Sequence, residues 1–132
     1  MIRLREIDLA QDYPIFEAWW REHGWPPVPA AILPKLGILA EADSQPIAAA
    51  WVYMDNSIGV SMCEWIVSNP QANDRPVYRA IKELIAFLKQ RVKELGYGVM
   101  LATCKQESLS KLLQKQGFEL TDESVRHHLA LL

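Results

Sequence analysis

The stretch Ile66–Gly96 constrains this chain more than any other. An apolar run ends at Asn69-Pro70. Val77, Ala80, Ile81, Leu84, Ile85, Leu88, Val92 and Leu95 then recur at three- and four-residue intervals. That spacing marks one face of an α-helix. Pro76 fits its first turn, where a missing N–H is not needed, and Gly96 is the expected stop. The stripe needs a sheet to cover. Val60–Val67 before it and Val99–Cys104 after it read as strands, the second a buried parallel one, joined by a right-handed crossover. The helix start is also chemically distinctive. First-turn N–H groups lack internal partners and the helix dipole adds partial positive charge. With Arg75 and Arg79 beside it, this start is a candidate anion site for a pyrophosphate-bearing cofactor. The loop lacks the glycines that usually let a backbone close on phosphate.

Before this unit the pattern is different. Ile2, Leu4 and Ile7 mark a short opening strand. Tyr13, Phe16, Trp19, Trp20 and His23 form a helical stripe within Gln11–His23, ended by Gly24. Trp25–Pro34 holds four prolines in ten residues and reads as a structured loop with one helical turn at Ala30–Leu33. Leu36–Glu41 and Ile47–Met54 read as a hairpin around Asp43–Pro46, and Asp55–Ser57 turns the chain into Val60–Val67. After Cys104, Gln106–Gln116 reads as a short helix stopped by Gly117. Phe118–Leu120 and Ser124–Leu132 read as final strands.

The 132 residues, half of them hydrophobic, fit one domain spanning 1–132. No apolar run reaches the ~18–20 residues of a membrane span, and Met1–Asp12 has no signal core, so a cytoplasmic protein without a membrane partner is expected. Cys63 and Cys104 read as buried thiols. They lack metal spacing, as do His23, His127 and His128, so no metal is expected. His127 and His128 would point to opposite faces of a strand. A net charge of −2 argues against a nucleic-acid partner. The charge is uneven: residues 1–73 carry 4 basic and 9 acidic side chains, residues 74–132 carry 10 basic and 7 acidic. The basic half contains the candidate anion site, which either favours an anionic ligand or is a solvated helix face.

Three segments resemble the GNAT superfamily of acyl-CoA-dependent N-acetyltransferases. Glu64-Trp-Ile-Val67 lies where that family's fourth strand leads into its cofactor loop. Arg75-Pro-Val-Tyr78-Arg-Ala80 resembles its Arg/Gln-x-x-Gly-x-Gly/Ala signature, with Tyr78 in place of the middle glycine. Leu113-Gln-Lys-Gln-Gly117-Phe118 resembles its Tyr-x-x-x-Gly-Phe ending, with Leu113 in place of a tyrosine that often serves as general acid. Leu33–Gly37 and Ser68–Pro70 also resemble small GNAT-like proteins of phages and prophages. The resemblance implies an α/β (α+β) fold with a mixed sheet of about six to seven strands and about four helices. It implies acetyl-CoA as cofactor and transfer of acetyl to an amine of a small molecule or protein. Cofactor contacts would come from Ile66, Val67 and Ser68, from Arg75, Val77, Tyr78, Arg79 and Ala80, and from Gln106, which replaces an asparagine.

Glu64 is the candidate base. Alternation along Val60–Val67 puts it on one face with Met62 and Ile66, where desolvation would raise its pKa; the other reading is a surface or ion-paired carboxylate. For an acid, Tyr53, Tyr78, Tyr97 and Cys104 remain. Trp19, Trp20 and Trp25 are candidates to line an amine site or cage a cation, though such a stripe is more often core or a homodimer seam. Glu17, Glu22 and Glu41 are candidates to attract an amine. The departures at Tyr78, Leu113 and Gln106 fit a second reading, a catalytically inactive GNAT-like binding module.

Overall fold

In the computed structural model, which describes residues 1–132, five strands form one sheet in the order β1-β2-β3-β4-β5. The elements are β1 (Ile2–Glu6), α1 (Leu9–Glu22), a 3-10 turn (Ala30–Ile32), β2 (Leu36–Ala42), β3 (Gln45–Met54), β4 (Val60–Ser68), α2 (Asp74–Glu94), β5 (Val99–Ala102) and α3 (Glu107–Lys115). Strands β1 to β4 are antiparallel, and β4 pairs in parallel with β5. The β2–β3 turn has Asp43 and Ser44 both at positive φ. That backbone matches the right-handed strand twist, so the hairpin closes on two residues.

Each sheet face has its own core. The apolar stripe of α2, with Leu109, Leu112 and Leu113 of α3, covers Ile38, Ala48, Ala50, Val52 and Cys63. Phe16, Trp19 and Trp20 of α1, with Val28 and Leu33 of the proline-rich segment, cover Leu39, Ala49, Trp51 and Val67. That segment is tied down: Tyr13 donates to the Val28 carbonyl at 2.7 Å and Tyr53 to the Ile32 carbonyl at 2.5 Å. Prolines cannot donate to a ladder, so side-chain hydroxyls fasten the loop instead.

Two features give stability predictions. Gly37 lies against Trp51, and an added Cβ there would stand 2.5 Å from the indole Nε1 and 3.0 Å from Ile7 Cδ1. Trp51 is fully buried and edge-on to Phe16, so it cannot yield. Gly37→Ala should lower unfolding free energy by about 1–3 kcal/mol in urea titration. The second feature joins β1 to α1. Arg5 donates to both carboxylate oxygens of buried Asp12, at 2.8 and 2.9 Å, and the Asp8 N–H donates to the same group at 2.8 Å. Asp12→Ala leaves the Asp8 N–H without its acceptor and Arg5 with only Glu41 and the Glu6 carbonyl, and should cost about 2–4 kcal/mol at pH 7. The Arg5 hydrogen bond holds the Asp12 carboxyl below its ordinary 3.8. A depressed folded value means the contribution is whole above 3.8 and fades as pH falls through the folded pKa. Thermal melts of parent and variant should therefore converge in acid.

Three expectations are corrected. The sheet has five strands, not six or seven, and Phe118–Leu120 and Ser124–Leu132 form none of them. No backbone–backbone hydrogen bond falls on residues 119–132, so the alternation of Val125, Leu129 and Leu131 has no partner edge. There are three α-helices and a 3-10 turn rather than four helices. Strand β5 is parallel as expected but is not buried on both faces: it is the sheet's edge, with Val99 49% and Leu101 53% exposed. No helix is long and apolar enough to cross a membrane.

Candidate cofactor and catalytic cleft

The parallel pair parts company half-way. β5 pairs with β4 only from Val60↔Val99 to Cys63↔Ala102, while β4 continues to Ser68. From Glu64 onward that edge of β4 faces no strand. The local cause is visible in β4. Trp65 has φ +60°, and the β3–β4 register shifts between Ala49↔Val67 and Trp51↔Glu64. This is a β-bulge, which bends a strand and re-aims its side chains. A tryptophan in left-handed backbone is strained, and such strain collects at functional sites. Its indole N–H donates to the Tyr53 hydroxyl at 2.9 Å, which in turn donates to Ile32. That chain holds the bulge.

The bulge also corrects the expected alternation. Glu64 pairs with Trp51 and Met62 with Tyr53, so both lie on the α1 side. Ile66 crosses to the α2 side and packs on that core, and Val67 returns to the α1 core. Glu64 is half-buried and accepts a hydrogen bond from Thr103 Oγ1 at 2.9 Å. Desolvation pushes its pKa above the ordinary 4.5, while the Thr103 hydrogen bond and His127 pull the other way. His127 comes from the C-terminal segment, its ring edge-on to Trp65 at 6.2 Å between centroids. The sequence assigns no site role to Thr103 or Trp65, and names His127 only as a histidine without metal spacing. The parallel register is the signal for Thr103: with Cys63 opposite Ala102, the next pair is Glu64 and Thr103.

At the other end of the cleft, α2 begins at Asp74 with Asn73 as its cap, and Asn73 makes no side-chain hydrogen bond to the first turn. Its leading amides are therefore uncapped. Arg75, Tyr78 and Arg79 are exposed, and neither arginine is in an ion pair. Asp74 is the one acidic residue of that turn. Ala80 and Val77 face the sheet: Ala80 is fully buried and Val77 packs against the same core. Gln106 is exposed, caps α3 without a side-chain bond, and its carbonyl accepts from the Ser110 N–H at 3.0 Å. The Ser68 carbonyl is already taken by His23 Nε2 at 2.9 Å.

The tryptophans divide. Trp19 and Trp20, 7% and 3% exposed, are core. Trp25 is half-buried, packs on the edge of the same core and stacks on His23 at the end of β4. Glu17 pairs with Arg21, Glu41 with Arg5, and Glu22 accepts from Gln71. Among candidate acids, Tyr53 is spent on Ile32, and Tyr97 donates to the Asp55 carbonyl at 2.7 Å. Burial raises the Cys104 thiol and pushes Cys63 up to about 12. Leu113 is buried in the α2-side core.

The overall fold is shared with solved structures. A transcriptional regulator from Bacillus halodurans is 13% identical over 98% of this chain and 100% of that one, with TM-score 0.73. A polyamine N-acetyltransferase from Drosophila melanogaster is 15% identical over 92% of this chain and 85% of that one, with TM-score 0.72. The fold is that of the GNAT acetyltransferases. N-acetylglutamate synthase from Neisseria gonorrhoeae, solved with coenzyme A and N-acetyl-glutamate, has it over 92% of this chain and 29% of its own, at 15% identity and TM-score 0.70. No family model and no curated protein sequence matches the chain. At these identities the likeness establishes the GNAT fold, and activity has to be argued from the cleft.

Proposed function

We propose that this chain is an acetyl-CoA-dependent N-acetyltransferase acting on an amine. One observation carries the reading: a half-buried glutamate with a raised pKa stands where β4 loses its neighbour, beside a strained bulge. The residues present suit the cofactor. The open β4 edge from Glu64 through Ile66 and Val67 offers backbone groups that an extended pantetheine arm can complete as an added strand. The uncapped first turn of α2, with Arg75 and Arg79, suits a pyrophosphate. Tyr78 stands exposed between the arginines, placed to cover that group, and Gln106 lies at the start of α3 across the cleft.

Bound acetyl-CoA supplies a thioester carbonyl for attack. Glu64, kept basic by desolvation, takes the proton of the incoming amine directly or through water. Thr103 orients that carboxylate. Tyr53 and Tyr97 donate to backbone carbonyls, and Tyr78 stands exposed at the start of α2, so the leaving thiolate would take its proton from water. Release of free CoA thiol against a panel of diamines, lysine peptides and aminoglycosides tests the reading. Thiol release matched by an acetylated amine supports it. CoA binding with no turnover on any amine favours the inactive module, to which the burial of Leu113 in the acid's place points.

A further inference from the structure

The mouth of the cleft carries an arrangement that acetyl transfer alone does not use. His23 Nε2 donates to the Ser68 carbonyl at 2.9 Å, which fixes its ring at the end of β4. Trp25 stacks on that ring, with centroids 4.4 Å apart and planes 15° from parallel. Over Trp25 stands the ammonium of Lys105, 5.6 Å from the indole centroid. Lys105 has no carboxylate partner. The ring, backed and immobilised by His23, is what receives this cation, and tryptophan is the best aromatic receiver of one.

Lys105 belongs to the loop between β5 and α3. Two residues before it, Thr103 hydrogen-bonds Glu64. The backbone between Thr103 and Lys105 spans about 7 Å when extended. Trp25 is tied through His23 to Ser68 at the end of β4, and Lys105 follows the end of β5. The half of the chain that builds the α1 side is the acidic one, 4 basic against 9 acidic residues.

We infer that the Trp25 ring is an ammonium subsite for the acceptor, occupied in the free protein by Lys105, and that the acceptor carries a second cationic group beside the amine that is acetylated. This rests on the acetyl-transfer reading for Glu64. The second cation follows from the chemistry. The nitrogen that Glu64 deprotonates becomes neutral and no longer binds a π face as a cation. The ammonium held on Trp25 is another group of the same molecule, a few bonds away. The acceptor class is then a diamine or an amino compound with a second basic group. Lys105 is an internal competitor, a flexible alkyl-ammonium of the same chemistry.

Binding of diaminobutane without cofactor, followed by the Trp25 indole N–H resonance in proton–nitrogen NMR, tests this. The resonance should shift with diaminobutane and not with n-butanol. Lys105→Met should tighten the apparent affinity about 3- to 10-fold by freeing the ring. Lys115→Met, the same charge change away from Trp25, should do much less. Trp25→Leu should weaken binding measured by calorimetry by a similar factor, and Trp25→Phe by less. Equal tightening by Lys105→Met and Lys115→Met, no tightening by either, or an equal shift with n-butanol overturns the subsite. The readout needs no acetyl-CoA, so a protein that binds the diamine but transfers no acetyl contradicts the enzyme reading and not the ammonium subsite.

Discussion

Glu64→Gln lowers the rate of acetyl transfer by about 100-fold or more while acetyl-CoA binds as to the parent. The substitution keeps the shape and the capacity to accept the Thr103 hydrogen bond, and removes only the basicity. The parent rate rises with pH through the Glu64 ionisation, above the ordinary 4.5 because desolvation disfavours the carboxylate. In Glu64→Gln that limb vanishes. Thr103→Val is the finer probe. Its lost hydrogen bond stabilised the charged form, so the Glu64 pKa rises further and the acid limb moves to higher pH with the plateau largely kept. Stopped assays of CoA release across pH read all three. Parent-like turnover by Glu64→Gln would remove Glu64 as base.

Arg75→Glu combined with Arg79→Glu should weaken acetyl-CoA binding by about 10- to 100-fold, with the rate at saturating cofactor nearly unchanged. Both side chains are exposed and unpaired, so little folding energy is lost. Glutamates in the first turns of a helix are favoured by its dipole, so unfolding of α2 is not the expected cause. The split between affinity and turnover distinguishes anchoring from chemistry. Raising the ionic strength should shrink the difference, because these charges face water.

Much of this architecture is written in local pattern. The stripe from Val77 to Val92 specifies α2 because its period leaves one solution, and Pro76 with Gly96 bounds it within two residues. Asp43 and Ser44 lie where the β2–β3 turn was expected. Of the candidate site residues, Glu64 lies at the open end of β4, and Arg75 and Arg79 lie at the start of α2. What escaped depends on pairing rather than period. The bulge at Trp65 arises from the β3–β4 register, and it sends Ile66 to the face opposite Glu64. Thr103 becomes visible only once the parallel register is known. Ser124–Leu132 has a strand's alternation, but alternation without an edge to pair with makes no strand. Trp19 and Trp20 share a helical face with Phe16, and burial of that face on Trp51 makes them core; Trp25, past the end of α1, packs only on the core's margin and meets a cation.

The account stands on the open edge of β4 and the start of α2 being one cofactor site. Isothermal titration of coenzyme A into the protein tests this most directly, repeated with the Arg75→Glu, Arg79→Glu variant. One-to-one binding in the micromolar range, weakened at least tenfold in the variant, is the predicted result. No heat with millimolar coenzyme A, or equal affinity in parent and variant, would contradict it.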